Sequence, residues 1–294
     1  MKKILILGGC GYIGSALFQK FSNKYQVDTV DLEWFGNYIN PSNFKCDYNS
    51  LSSDFVRSYD VVILVAANSS VPLCSNVFDT FDNNVTKFVN FVNKLNQKQK
   101  FIYASSSCVY GETKNGYLSK ETDTLTPQDG LTISKTTIDH FMPLTDIEYY
   151  GLRFGSVNGW SPNMRLDLMI NSMTVSAKFN HEVIVTNGHA YRPILSINDL
   201  CNAVGCIIDE SEDKRGIYNI TSFNDNILSI GKKVADYMNV ELKDKGNNFT
   251  YDFSISAEKF INNYNFRFSD TIESIVESIA TRTFEPTWRR RDTK

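Results

Sequence analysis

The stretch Gly8-Gly9-Cys10-Gly11-Tyr12-Ile13-Gly14 stands directly behind the apolar run Ile4-Leu5-Ile6-Leu7 and directly ahead of a helical pattern in which Ile13, Leu17 and Phe21 recur at four-residue intervals. A strand, a glycine turn and an amphipathic helix in that order form the opening of a dinucleotide-binding unit. Glycines at 8, 11 and 14 let the backbone turn sharply, come close to a pyrophosphate and pack the helix on the strand. Tyr12 and Ile13 belong to the same phosphate-binding turn.

A second apolar segment ends in Val27-Asp28-Thr29-Val30-Asp31, which puts Asp31 near the twenty-residue offset at which a carboxylate accepts hydrogen bonds from the adenosine ribose. The same carboxylate repels a ribose 2′-phosphate, so the expected cofactor is NAD rather than NADP; a solvated aspartate closing a strand is the plainer alternative. Further strands are expected at 26–31, 60–66, 101–105 and 148–154, alternating with helices after the first at 3–7. That alternation predicts an α/β fold, a Rossmann-type doubly wound parallel sheet with helices on both faces. Val85, Phe88, Val89, Val92 and Leu95 form an apolar stripe at helical spacing that packs on the sheet or on a partner subunit. Beyond residue 155 the pattern loosens into segments near 165–180, 182–186, 216–221 and 226–239 and a last helix opened by Ser269-Asp270, with Asp270 and Glu273 arranged like an N-terminal cap. The expected division is a cofactor-binding part over 1–155, to which some later chain returns, and a smaller C-terminal α/β lobe over 156–294 that mainly holds substrate.

With 294 residues, 42% hydrophobic and 21% charged, the chain can bury a sizeable core. A formal net charge of -3 offers no broad basic surface, and Arg289-Arg290-Arg291 reads as a solvated tail, so no nucleic acid partner is expected. No secretory pattern opens the chain and no apolar run approaches membrane-spanning length, which makes a cytoplasmic protein the expectation. Six cysteines without a C-x-x-C pair and three histidines without ligand spacing predict no metal site.

Together these residues resemble one family, the extended short-chain dehydrogenases/reductases that act on nucleotide sugars, to which UDP-galactose 4-epimerase belongs. Its landmarks here are Gly8-x-x-Gly11-x-x-Gly14, Asp31, Asp47, Ala66-Ala67, Asn84-Val85, Ser105-Ser106-Ser107-Cys108-Val109-Tyr110-Gly111, Ser134-Lys135, Leu152-Arg153-Phe154 and Arg192-Pro193. The resemblance implies that Asp47, Tyr48, Ala66 and Lys135 contact the cofactor and that Ser106 hydrogen-bonds the reacting oxygen. It further implies that Ser107, Arg165 and Arg192 contact a nucleotide-diphosphate sugar, with Arg192 on the diphosphate, and that two copies pair as a homodimer through the stripe helix and the helix carrying Lys135.

One family element is missing. Four residues before Lys135, where the pattern places the tyrosine that moves the hydroxyl proton, stands Leu131 in Gly130-Leu131-Thr132-Ile133-Ser134-Lys135. Loss of a positioned acid/base costs roughly 10²–10⁴ in rate. Asp129, read as a solvated loop carboxylate, and Tyr110, read as structural, are weaker replacements than Cys108, whose tract resembles that of GDP-fucose synthases, where a cysteine moves protons beside a keto group and a lowered thiol pKa suits the task. The histidine that partners that cysteine is absent, Trp160-Ser161-Pro162-Asn163 standing at the matching place. The tract from Ser161 to Leu168 resembles GDP-heptose 4-dehydrogenases. Three functions stay open: oxidation of a sugar hydroxyl, at C4, as epimerase or dehydrogenase; isomerisation of a keto sugar through Cys108 with NAD structural; and a non-catalytic NAD(H)-binding regulator.

Overall fold

The computed structural model describes residues 1–38, 43–70, 72–113, 116–248 and 250–284; the Arg289-Arg290-Arg291 run lies outside them. In chain order its strands are β1 (Lys3–Leu7), β2 (Gln26–Val30), β3 (Val61–Leu64), β4 (Lys100–Ser106), β5 (Leu118–Ser119), β6 (Glu148–Phe154), β7 (Ser156–Asn158), β8 (Glu182–Val185), β9 (Tyr191–Ser196), β10 (Gly216–Ile220), β11 (Phe223–Asn226), β12 (Glu241–Asp244) and β13 (Ser254–Ile255). Its α-helices are α1 (Tyr12–Phe21), α2 (Ser53–Arg57), α3 (Val77–Phe81), α4 (Lys87–Val92), α5 (Gly130–Phe141), α6 (Met169–Asn180), α7 (Ile197–Asp209), α8 (Ile227–Met238), α9 (Glu258–Tyr264) and α10 (Ile272–Ala280).

Six strands pair in parallel in the order β10-β6-β4-β3-β1-β2. The chain starts at β1, moves outward to β2, then returns to β3 on the other side. Between β1 and β3 it therefore reverses direction across the sheet, and the crevice outside the strand ends at such a point is where α/β sheets take their ligands.

Side chains alternate between the faces of a strand, so the unbroken apolar strands feed two cores. Ile4 and Ile6 pack with Leu17 and Phe21 of α1 and with Leu200 and Val204 of α7. Leu5 and Leu7 pack on the other face with Phe88, Phe91 and Val92 of α4 and Ile138 of α5. The expected stripe thus turns onto the sheet, but not as a whole. Phe88, Phe91, Val92 and Leu95, an i, i+3, i+4, i+7 set, are buried, while Val85 and Val89 sit half-buried at its margin.

In the second half β7, β9 and β11 form a separate sheet, and α6, β8, α8 and α10 enclose a core of Ile170, Met173, Val183, Ile230, Val234 and Ile275. Two elements leave this half: β10 lies beside β6 in the main sheet, and α7 covers α1. The last helix starts later than Asp270 suggested. Thr271 caps α10 in a reciprocal arrangement with Ser274, and Asp270 instead accepts hydrogen bonds from Ser196 and Asn198 at the head of α7. Among the described residues no helix is long and apolar enough to cross a membrane.

Candidate active site

The glycine turn leaves β1 at Gly8 with φ +89°, where a Cβ would stand 2.6 Å from the Ala66 nitrogen. At Gly14 a Cβ would meet the Gly8 carbonyl oxygen at 2.0 Å. The chain itself therefore demands glycine at both positions. Gly11 differs, with an ordinary φ of −72° and a Cβ position whose only neighbour is the Gly8 oxygen at 3.3 Å. Its missing side chain relieves little within the protein and instead keeps room outside it.

The carbonyls of this turn are drawn inward. Cys10 O accepts from Asn163 Nδ2 at 2.5 Å and Tyr12 O from Ser161 Oγ at 2.6 Å. Gly11 caps α1 without a side-chain bond, so the first-turn N–H groups, those of Tyr12 and Ile13 among them, have no intrahelical acceptor. Carbonyls held back and amides left forward at a helix start make a receptor for phosphate oxygens. The Tyr12 ring takes no part in this: it is buried and its hydroxyl donates to Gly159 O at 2.8 Å, so this residue offers the site only backbone.

Asp31 holds the turn from the other side, its Oδ2 accepting from Cys10 N at 3.1 Å and its Oδ1 from Glu33 N at 2.7 Å. Burial pushes its carboxyl up against these lowering bonds; each oxygen keeps a lone pair for a ribose hydroxyl. The same burial, with Asp31 and Glu33 close by, drives the Cys10 thiol up to about 12, so that cysteine is inert. Asp47 caps the turn at Tyr48–Ser50 and pairs with Lys87 at 2.8 Å, while the Tyr48 ring lies edge-on to Phe91 at 5.5 Å. Ala66 packs over Gly8. Turn, Asp31, Asp47 and Ala66 all fall at the carboxyl ends of β1, β2 and β3, where the topology places the crevice.

Beside them, β4 ends at Ser106, whose Oγ accepts from Cys108 N at 3.2 Å and so caps the turn Ser107–Tyr110. In that turn Ser107, Val109 and Tyr110 are buried and Cys108 alone is exposed. Ser107, the expected substrate contact, packs beneath the turn with 1% of its surface exposed. The lowered thiol pKa that would suit Cys108 is absent: desolvation of its sulfur raises it, as does the charge of Asp129, against the lowering hydrogen bond with Ser106 and the charge of Arg192.

Lys135 lies along α5 with its Nζ donating to Ala104 O at 2.7 Å. Among the described residues no carboxylate is within ion-pair distance of it, and burial lowers the amine to about 8. Leu131 occupies the first turn of α5, half-buried and without a polar group to offer. Asp129 is half-buried. It caps α5, accepting from Thr132 N at 2.8 Å in a capping box, and is committed to that helix end. The arrangement fits a dinucleotide: forward amides for its pyrophosphate, a carboxylate for its ribose, and a lone buried amine for the second ribose.

Two supports of the site went unread in the sequence. Asp139 of α5 accepts from Arg153 Nε at 2.8 Å, Ser105 at 3.0 Å and Tyr103 at 3.2 Å, and Arg153 also donates to Tyr110, which in turn donates to Asn219 at 2.7 Å. This buried network ties α5, the turn Ser107–Tyr110 and β10 together beneath the candidate residues. Asn84, in a π turn at Asp82–Thr86, closes on both backbone groups of Asn68 and donates to Ser134 at 3.1 Å. The only sequence signal for either was the Asn84-Val85 and Leu152-Arg153-Phe154 landmarks, which carry no partner information.

From the second half, Arg192 donates to the carbonyls of Tyr191 and Tyr251 and to Thr250 Oγ1, and stacks on the Phe253 ring at 5.4 Å. Among the described residues it has no carboxylate within ion-pair distance, and its charge is felt at Cys108. Arg165, by contrast, is forked onto Asp167 at 2.6 and 3.0 Å and reaches Ser69 at 3.4 Å. It bridges to the loop after β3 with most of its charge already answered.

Residues 4–221 match the NAD dependent epimerase/dehydratase family. The chain belongs to that family. The UDP-glucose 4-epimerase of Mycoplasma genitalium is 25% identical over 289 residues, covering 83% of this chain and 85% of its own. The ADP-L-glycero-D-manno-heptose-6-epimerase of Brachyspira hyodysenteriae is 23% identical over 264 residues, covering 79% and 80%. Among solved structures, that of UDP-glucuronic acid 4-epimerase from Bacillus cereus superimposes with a TM-score of 0.82 over 95% of this chain and 98% of its own at 19% identity. The NDP-hexosamine 5,6-dehydratase TunA gives a TM-score of 0.83 over 95% and 97% at 17% identity, so the likeness across these members is one of fold. The family match covers every candidate residue from Gly8 to Arg192 and stops before the segment that holds Arg192, at residues 250–253.

Proposed function

We propose that this chain is an NAD-dependent enzyme that oxidises a hydroxyl, at C4, of a nucleotide-diphosphate sugar, acting as an epimerase or dehydrogenase with an acid/base other than tyrosine. The observation that carries the reading is Lys135: a buried amine with no carboxylate partner among the described residues and one hydrogen bond, to Ala104 O, two residues before Ser106 at the end of β4. Such a charge costs stability, and a bound ribose hydroxyl and nicotinamide beside it give the cost a purpose. The sugar nucleotide is held mainly by residues from 156–294, with Arg192 on its diphosphate.

Hydride acceptance from the sugar carbon is the chemistry NAD supplies when bound. Ser106 Oγ hydrogen-bonds the reacting hydroxyl. As C4–H gives up its hydride, the O–H proton must pass to a base on the protein. Leu131 has none, and Cys108, exposed beside Ser106, accepts it as thiolate and returns it from the thiol when the carbonyl is reduced. Because burial raises that thiol, the thiolate fraction and the rate climb with pH through the range 7–9 instead of levelling below it. The position of Cys108 beside Ser106 also favours a second reading, in which Cys108 exchanges a proton on the carbon beside an existing carbonyl and NAD is structural.

The test is purification with cofactor analysis followed by incubation with UDP-, dTDP-, GDP- and ADP-sugars. The expected result is bound NAD(H) and a change of sugar stereochemistry or of nicotinamide absorbance; absence of both with every sugar overturns the proposal. Solvent deuterium entering the sugar without nicotinamide reduction, and lost in Cys108→Ala, selects the second reading. Leu131→Tyr restores a phenol four residues before Lys135 and is expected to raise C4 epimerisation by at least about tenfold.

A further inference from the structure

Residues 250–256 run as a strap between the two halves of the molecule. On one side Thr113 N donates to Asp252 O at 2.8 Å and Ser254 N to Thr113 Oγ1 at 3.3 Å, and β13 pairs with β5, so the strap is braced on the chain that leaves the turn Ser107–Tyr110. On the other side Tyr191 N donates to Asp252 Oδ1 at 3.0 Å and Ile255 N to Asn224 Oδ1 at 3.0 Å. Arg192 lies between, on the strap's inner edge.

A guanidinium has five N–H donors. For Arg192, Nη1 spends both of its hydrogens on the carbonyls of Tyr191 and Tyr251, and Nη2 spends one on Thr250 Oγ1 at 2.5 Å. All three acceptors are neutral, and the Phe253 ring covers a face of the group. Nε–H and one Nη2–H remain, with the positive charge unanswered by any carboxylate in contact among the described residues. A surface arginine with five free donors samples many rotamers, whereas this one is fixed by three neutral bonds and a ring without losing its charge or its last two donors.

We propose that the strap is the positioning element of the diphosphate subsite, with Thr250 as its specific determinant: its hydroxyl fixes the Arg192 fork so that Nε–H and Nη2–H receive phosphate oxygens at a set distance from Ser106 and Cys108. This rests on the reading of Arg192 as the diphosphate ligand. It adds a residue outside the part of the chain matched to the family and outside the sequence landmarks.

The experiment compares wild type with Thr250→Val, which keeps the shape and removes the acceptor, Thr250→Ser, which restores it, and Arg192→Ala. Binding of UDP, GDP, ADP and dTDP is measured by calorimetry, NADH binding by nicotinamide fluorescence, and folding by thermal denaturation, all on the full chain. The expected result is a loss of about tenfold in nucleoside diphosphate affinity for Thr250→Val, recovery in Thr250→Ser, a larger loss in Arg192→Ala, and NADH affinity and melting temperature unchanged in the Thr250 variants. Wild-type affinity in Thr250→Val alongside a loss in Arg192→Ala overturns the inference and leaves the functional reading standing. An equal fall in NADH affinity, or failure of serine to rescue, shows a merely structural strap and also overturns it. A wild-type protein that binds none of the four nucleotides removes the functional reading and the inference together.

Discussion

Lys135 is the residue at which folding and function pull apart most visibly. Its amine titrates at about 8 when folded, against 10.5 in the ordinary state. Between those values the unfolded chain binds a proton that the folded chain does not, so this residue's contribution to stability rises with pH across 8–10.5, and its full cost is borne below 8. The size of the shift corresponds to roughly 3 kcal/mol. Lys135→Met is therefore expected to be more stable than wild type by about 1–3 kcal/mol in urea unfolding at pH 7, with the gap narrowing at pH 9.5, and to lose at least about tenfold in NADH affinity. Equal stability at pH 7 would show that the buried amine carries no such cost. Cys108 shows the limit of reading at this scale. Its tract suggested an activated thiol, yet whether a thiol is activated depends on how deeply the sulfur is desolvated and on where Arg192 falls, and neither is a property of the tract.

At the scale of elements, the glycine turn separates what the fold needs from what a ligand needs. Gly14→Ala forces a Cβ into the Gly8 carbonyl at 2.0 Å, and the turn must shift. The expected loss is about 3 kcal/mol or more, seen as a marked fall in melting temperature. Gly11→Ala places its Cβ at 3.3 Å from the same oxygen with a φ that any residue adopts. It is expected to melt within a few degrees of wild type and still lose at least about tenfold in NADH affinity. If Gly11→Ala binds NADH normally, the space in front of the turn is not a pyrophosphate site. The apolar stripe teaches a related point. Helical spacing identified Phe88, Val92 and Leu95, but only packing against Phe101 and Tyr48 selected Phe91 over Val85 and Val89 as the fourth member.

For the whole molecule, turning that stripe onto the sheet leaves only its margin and the neighbouring helices for a second copy. Beside the half-buried Val85 and Val89, the exposed apolar surface includes Phe78, 88% exposed, and Val77 on α3, with Ile133 on α5. We propose that the homodimer forms through the helix around residues 84–96 and the helix carrying Lys135, with Phe78 beside them. Sedimentation of the wild type is expected to show a dimer, and Phe78→Glu a monomer that keeps its NADH affinity; a wild-type monomer at micromolar concentration removes the proposal.

The strand positions of the first half, their alternation with helices and the phosphate turn were written in local patterns, because apolar runs and glycine spacing act through the backbone within a few residues. Family membership followed from many such local signals in sequence. What only the tertiary structure decided involves pairs far apart in the chain. The Asp139–Arg153 pair beneath the site, the clamp of Asn163 and Ser161 on the turn's carbonyls, the return of β10 to the main sheet and the hold of Thr250 on Arg192 each depend on which buried polar group meets which. A sequence states that a donor or an acceptor exists; desolvation makes its partner matter, and desolvation exists only once the chain has folded.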